Sequence, residues 1–267
     1  MKSWPFRFGL IVIGAIIGIA YWYFYLSGQG APEQVFTPAP VVEPNVEPVI
    51  QHPVTTTPEE LESTEPLIGR EKPLPELKQS DLPMAEILAK LFADQKLDRF
   101  FILEHFIERF VVMVDNLPRP QLPATHRPLK KTAGKFLAQG ERDQLTIAPA
   151  NYKRYSPLIK MGTALDTAQV VAVYKRLYPL FQQAYQELGY PKSYFNDRLV
   201  EVIDHLLVTP QITGPVYLTQ PKALYLYADP DLEALSAGRK ILLRCGPENA
   251  AQIKTLLHEY RKLIAAS

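Results

Sequence analysis

Apolar residues crowd into one uninterrupted run near the N-terminus of the chain. Residues 8–26 read FGLIVIGAIIGIAYWYFYL, without a charge or a proline. As a helix this run would be roughly 28 Å long, close to the thickness of the hydrocarbon core of a bilayer. A helix also satisfies its own backbone hydrogen bonds in lipid. The pattern predicts one transmembrane helix over residues 8–26, in contact with membrane lipid.

The residues around this run predict its orientation. Lys2 and Arg7 precede it, and the next basic residue is Arg70. Because positive charge favours the cytoplasmic side, we expect a cytoplasmic N-terminus and a periplasmic domain, held at the inner membrane by a single span. A cleaved signal peptide is disfavoured, since its apolar region is about 7–15 residues long and ends in small residues. Gly14 and Gly18 form a small-xxx-small pattern that fits a homodimer contact, although glycine is also common in such helices without one.

Residues 27–80 have the composition of a linker. They contain ten prolines and nine glutamates with few aromatic residues. Such a segment cannot bury enough apolar surface to offset the entropy lost on ordering, and proline favours an extended chain. The composition predicts a disordered, Pro/Glu-rich linker over residues 27–80 and one globular domain over residues 81–267.

From residue 81 onward, apolar residues recur at three- and four-residue spacing, as in amphipathic helices. Capping residues, glycines and prolines set the expected boundaries. The predicted helices cover residues 81–92, 97–116, 151–161, 167–188, 193–208, 230–244 and 248–264.

Three other segments are not helical in pattern. Residues 118–131 contain four prolines and predict an extended arm. Residues 136–147 predict a short hairpin, and residues 216–227 predict an edge strand or bend around Pro221. The predicted fold class is mainly α: an N-terminal transmembrane helix, a disordered Pro-rich stalk, and one globular multi-helix domain with a minor β-hairpin/edge-strand element.

Charge and cysteine content narrow the class of protein. The formal net charge of the whole chain is +1, and because the linker is acidic the domain is mildly basic. This charge is too weak to indicate a nucleic-acid partner. Cys245 is the single cysteine and follows three apolar residues, which predicts a buried thiol rather than a disulfide.

The densest polar cluster lies in the predicted helix 193–208. Asp197, Glu201 and His205 recur at helical spacing and share one face of that helix. One of these acids could act as the general acid/base in the cleavage of cell-wall glycan. The favoured alternative is structural, with Arg198 pairing with Glu201 and Asp197, because amphipathic helices form such pairs routinely.

Basic and aromatic residues elsewhere predict a binding surface. Residues 119–140 carry positive charges without an acid, which fits either an anion-binding arm or an ordinary solvated loop. Tyrosines at the ends of elements suit recognition of a sugar or a peptide. The predicted binding residues are Arg119, Arg127, Lys130, Lys131, Tyr152, Tyr155, Tyr190, Tyr194 and Arg198. Three tyrosines with helical spacing are instead predicted in the core: Tyr174, Tyr178 and Tyr185.

Several long segments are distinctive: RFVVMVDNLPRPQLP (109–123), LTIAPANYKRYSPL (145–158) and SYFNDRLVEVIDHLL (193–207). In these the chain resembles the proteobacterial domain-of-unknown-function family numbered three thousand and fourteen, over nearly all of residues 81–267. The resemblance implies a Gram-negative envelope protein with an N-terminal anchor. It implies no activity, cofactor or catalytic residue.

The sequence contains no standard nucleotide-binding, serine-hydrolase or zinc-protease motif, so neither a cofactor nor a metal is predicted. We expect an anchored envelope protein whose domain is a binding or scaffold module for an envelope protein or peptidoglycan. The alternative is a cell-wall-processing enzyme that uses Glu201 or Asp197 as general acid/base.

Overall fold

The computed structural model describes residues 49–69, 73–92, 97–123, 125–132, 134–141 and 144–265. The predicted transmembrane helix, with Gly14 and Gly18, lies outside these residues. Among the described residues, no helix is both long enough and apolar enough to cross a membrane.

The domain is mainly helical, as the sequence predicts. The described residues form ten α-helices and two single turns of 3-10 helix, at Leu77–Gln79 and Leu97–Arg99. The α-helices are α1 (Pro58–Ile68), α2 (Asp81–Leu91), α3 (Phe106–Asn116), α4 (Pro149–Lys153), α5 (Ser156–Thr163), α6 (Thr167–Glu187), α7 (Phe195–Leu207), α8 (Pro230–Glu233), α9 (Ala237–Cys245) and α10 (Pro247–Ala265).

Local signals set the bounds of the longest helix. Asp166 caps α6 by accepting a hydrogen bond from the backbone N–H of Gln169 at 2.9 Å. Gly189, with φ of 116°, follows its C-terminal end. Both features are readable in the sequence, and the predicted helix 167–188 agrees with the structure to within one residue.

The β-structure consists of two short antiparallel hairpins. Strand β1 (Ala138–Gln139) pairs with β2 (Thr146–Ile147), and β3 (Leu218–Thr219) pairs with β4 (Leu226–Tyr227). Backbone hydrogen bonds from Ile147 to Val216 and from Leu218 to Leu145 join the two hairpins. The hairpin prediction is confirmed, and residues 216–227 form a second hairpin instead of a lone edge strand.

The main core lies among α3, α6, α7 and α10. Phe181 of α6 and Phe195 of α7 stack with ring centroids 5.9 Å apart, and Phe110 of α3 meets both rings edge-on. Tyr185 is buried there, and Tyr174 and Tyr178 pack against the same cluster. The prediction that these three tyrosines are core residues is therefore confirmed.

The linker prediction is wrong for the described residues before Asp81. Residues 58–68 form α1, which begins with a capping box between Thr57 and Glu60. Leu67 and Leu77 belong to the main core, and the ammonium of Lys175 on α6 lies 2.9 Å from a carboxylate oxygen of Glu60. Packing against α6 gives this proline-rich segment the apolar burial that its composition alone does not supply.

One predicted helix is shorter than expected. Residues 97–116 contain a 3-10 turn and then an extended stretch before α3 begins at Phe106. His105, with φ of 51° and ψ of 42°, separates the stretch from the helix. Two other predicted helices, 151–161 and 230–244, are each divided into two.

The arm of residues 118–131 is extended only in part. Turns and bends occupy residues 118–121, whereas the part around Leu129 pairs with Phe101 of the domain. Ile102 donates a backbone hydrogen bond to Pro128, and Lys130 donates one to Phe100, so the arm runs antiparallel to residues 100–102. Pro128 is among the most deeply buried residues of the domain. The arm is therefore part of the folded domain.

Candidate functional site

A buried carboxylate organises the polar residues of the domain. Asp115 lies near the C-terminal end of α3, next to Val111 and Val114 on the face that packs into the core, and its side chain is 3% exposed. Arg119, one turn further, donates to its Oδ2 at 2.6 Å. Arg198 of α7 donates to its Oδ1 at 3.1 Å. A charge buried to this extent requires such partners.

Arg198 links this carboxylate to the surface. Its Nη2 donates to the backbone carbonyl of Asp115 at 2.8 Å, and its Nη1 donates to Glu201 Oε2 at 2.8 Å. Burial acts to lower the pKa of the Arg198 guanidinium, but the hydrogen bond to Glu201 and the charges of Glu201 and Asp115 together outweigh it and raise that pKa. The guanidinium is thus a permanently charged bridge between a buried acid and an exposed one.

Two stacked tyrosines border the network. Tyr190 donates from its hydroxyl to Asp115 Oδ2 at 3.3 Å and accepts from Arg119 at 3.1 Å. Its ring stacks on Tyr185 with centroids 4.6 Å apart. Burial, chiefly, and the nearby Asp115 carboxylate raise the pKa of Tyr185 to about 12, so its hydroxyl stays protonated at neutral pH.

An open polar cavity of about 360 Å³ adjoins this network. We call it the Arg198 cavity. It combines two tyrosine rings with acidic, basic and amide groups at the start of α7. Its lining residues are Val49, Gln51, Tyr185, Ser193, Tyr194, Asp197, Arg198 and Glu201.

The carboxylate of Asp197 forms hydrogen bonds with the segment that precedes α1. It accepts the backbone N–H groups of Gln51 at 3.1 Å and of His52 at 2.7 Å. The neighbouring Asn196, fully buried, donates to the carbonyls of His52 and Ile264. We call residues 49–57 the strap, because side chains of α7 hold its backbone at Gln51 and His52.

The predicted acidic cluster does not converge on one point. Glu201 forms an ion pair with Arg198, and the side chain of Glu201 is 66% exposed. His205 makes a 2.8 Å hydrogen bond with the hydroxyl of Ser236 and does not line the Arg198 cavity. Burial, first, and the charge of Arg239 lower the pKa of His205. Asp204, on the same helix, is paired with Arg261. The geometry favours the structural interpretation of these acids.

Four of the predicted binding residues come together, and the others do not. Arg119, Tyr190, Tyr194 and Arg198 belong to the Asp115 network or line the cavity. On the arm, Arg127 donates to the carbonyl of Pro123, Lys130 donates to the carbonyl of Asp98, and Lys131 is exposed.

Tyr152 and Tyr155 lie in a different region, around α4. Tyr152 packs against Gly246 and lines a second cavity of about 240 Å³. Tyr155 is half-buried, with the Arg154 guanidinium 5.9 Å from its ring centroid. Cys245 is buried nearby as predicted, and burial raises the pKa of its thiol to about 12.

Asp115 is the site residue that the sequence prediction missed. The signal was present, because an acid follows Val111 by four residues on the face of α3 that packs into the core, with a basic residue one turn later. The strap could not be found from spacing, because Gln51 and Asp197 are 146 residues apart.

Comparison with known proteins gives one match. Neither the curated proteins nor the solved structures contain a match to this chain. One family model matches residues 106–261, more than half of the chain, and this range includes Asp115, α7 and the arm. The chain therefore belongs to the family described as protein of unknown function (DUF3014).

Proposed function

We propose that this protein is a single-pass, membrane-anchored envelope protein whose globular domain is a binding module with its ligand site in the Arg198 cavity. The anchor is the apolar run of residues 8–26, with the N-terminus in the cytoplasm and the domain in the periplasm. Gly14 and Gly18 provide a face for pairing two anchors. The ligand is cell-wall glycan, with an envelope protein as the other partner class.

The observation that carries the proposal is the composition of the cavity. It has the volume of ordinary ligand pockets and places a half-buried tyrosine ring beside charged hydrogen-bonding groups. Tyr194 offers a flat apolar face with a polar end, as sugar rings require. Glu201 is mostly exposed and keeps acceptor capacity beyond its bond to Arg198. The cavity thus offers ring stacking together with charged donors and acceptors.

The geometry supports binding over acid catalysis. A general acid must carry a proton that it can transfer to the leaving group. Both acids of the cavity are instead held as acceptors, Asp197 by two backbone N–H groups and Glu201 by the Arg198 guanidinium. These contacts engage both carboxylates with donors of the protein itself.

Sedimentation of the purified full-length chain with isolated peptidoglycan tests this function. We expect saturable binding that Tyr194→Ala and Glu201→Gln each weaken by about tenfold, the equivalent of roughly 1.4 kcal/mol. Tyr217→Ala is the matched control, because Tyr217 is an exposed tyrosine before β3 and does not line the Arg198 cavity. Equal binding by all three variants would rule out this cavity as the glycan site.

Two further experiments distinguish glycan binding from protein binding and from catalysis. The first places a photo-reactive residue at position 194 in cells. Cross-linking to one discrete protein, together with no binding to peptidoglycan in vitro, identifies the partner as a protein. Release of soluble peptidoglycan fragments that is lost in Glu201→Gln would instead support the cell-wall-processing enzyme.

A further inference from the structure

A cluster of titratable side chains lies outside the Asp115 network and the Arg198 cavity, where α2 meets α3. Asp81 is the first residue of α2, His105 immediately precedes α3, and Glu108 lies in the first turn of α3. Each offers one atom that can bind a metal, and these three atoms lie within 4.8 Å of one another. Two helices thus bring one imidazole and two carboxylates together.

The backbone of His105, which positions the imidazole, has an unusual conformation. His105 has φ of 51°, and among the described residues it is the one non-glycine residue with a positive φ. Its Nδ1 lies 3.6 Å from Glu108 Oε1, beyond the usual length of an N–H···O hydrogen bond. The two groups therefore face each other without a well-formed direct bond.

One oxygen of Glu108 has no partner. Its Oε2 is buried and accepts no hydrogen bond from the part of the chain that the structure describes. A buried acceptor left in this state costs free energy, which a donor or a cation would recover. This oxygen is an observation independent of the grouping of the three residues.

Helix electrostatics explains only part of this arrangement. Acidic residues in the first turns of α2 and α3 interact favourably with the positive ends of the helix dipoles. This accounts for the presence of Asp81 and Glu108. It does not account for an imidazole placed among them or for the buried oxygen without a partner.

We propose that Asp81, His105 and Glu108 bind a divalent transition-metal ion, with Zn²⁺ as the best-matched ion. One imidazole nitrogen and two carboxylate oxygens form a mixed N/O donor set of the kind that zinc accepts. Bond lengths of about 2.0–2.2 Å place the ligand atoms of a tetrahedral zinc roughly 3.3 Å apart. The three side chains must therefore move slightly closer to one another to bind the ion. The exposed His105 side chain has room to make that adjustment.

The site would leave coordination positions open and connect two helices. Three protein ligands leave at least one position for water or an external ligand, on the exposed side of His105. A bound ion would also tie the start of α2 to the start of α3. Since the ion binds the folded chain, it is expected to raise the unfolding temperature.

The test uses the purified full-length chain with Zn²⁺ alone as the probe, after treatment with a chelator. Isothermal titration calorimetry is expected to show one saturable site per chain, and saturating Zn²⁺ is expected to raise the unfolding temperature by about 4 °C or more. His105→Asn is the main variant, because asparagine tolerates positive φ and caps helices well. It should keep the fold, as measured by circular dichroism, while weakening Zn²⁺ binding at least about tenfold. Glu108→Gln should weaken it similarly.

His126→Asn is the matched control. His126 is an exposed histidine on the arm, where it bonds to Thr125, and it should bind Zn²⁺ as the unmodified chain does. Absence of saturable binding to the unmodified chain would overturn the proposal, as would equal affinity in His105→Asn. Binding of Mg²⁺ as tight as that of Zn²⁺ would also overturn it, because it would indicate a general attraction of cations to the two acids.

Discussion

At the scale of single residues, the carboxylate of Asp115 contributes both to the stability of the domain and to the shape of the candidate site. Replacement by alanine removes the acceptor of Arg119 and one of the two Asp115 acceptors of Arg198, while the backbone carbonyl continues to accept from Arg198. A largely buried guanidinium then loses its buried counter-charge and keeps the exposed Glu201. We expect Asp115→Ala to lower the free energy of unfolding by about 3 kcal/mol, measured from urea unfolding curves.

Asp98→Ala is the control for this substitution. Asp98 is exposed, and it contributes its backbone carbonyl, not its carboxylate, to the hydrogen bond with Lys130. A change within about 0.5 kcal/mol is therefore expected for it. If the two variants lost the same stability, the Asp115 network would not be a stabilising feature of the fold.

At the scale of elements, the strap shows how one helix recognises an extended chain. Asp197 binds two successive N–H groups, and Asn196 binds the carbonyl of His52, so these two side chains of α7 bind the backbone of the strap. We expect Asp197→Ala to speed amide hydrogen exchange at Gln51 and His52, because their acceptor is lost, without speeding exchange within α6. Exchange measured by NMR at these two amides tests this.

Asp204→Ala provides the comparison on the same helix. Asp204 lies two turns further along α7 and pairs with Arg261. Its charge acts on the side chain of His52, but the backbone N–H groups of Gln51 and His52 donate to Asp197. Removal of the Asp204 carboxylate should leave exchange at Gln51 and His52 unchanged. Fast exchange at both amides already in the unmodified chain would show that Asp197 does not hold the strap in solution.

The elements also show which structures can be predicted from sequence. The bounds of α6 depend on Asp166, Gly189 and apolar spacing, which are all local, and the prediction was accurate. The start of α3 depends on the left-handed conformation of His105, which spacing does not reveal. Residues 58–69 were predicted as linker because their order depends on contacts with α6, more than a hundred residues away.

At the scale of the whole molecule, the domain begins before the boundary that composition suggests. The compact unit starts at Glu47, and α1, Leu67 and Leu77 complete the face of the core next to α6. The side chain of Lys175 is 8% exposed, so it depends on Glu60 for a counter-charge. Deleting the residues before Asp81 would remove Leu67 and Leu77 from the core and would leave the part of α6 around Lys175 open to water.

We therefore expect a chain that starts at Asp81 to be at least about 3 kcal/mol less stable than one that starts at Glu47, because roughly 1.5–3 kcal/mol of apolar burial is lost for each leucine. Thermal and urea unfolding of the two truncated chains measure the difference. Equal unfolding midpoints for the two chains would show that residues 47–80 pack on the domain without stabilising it.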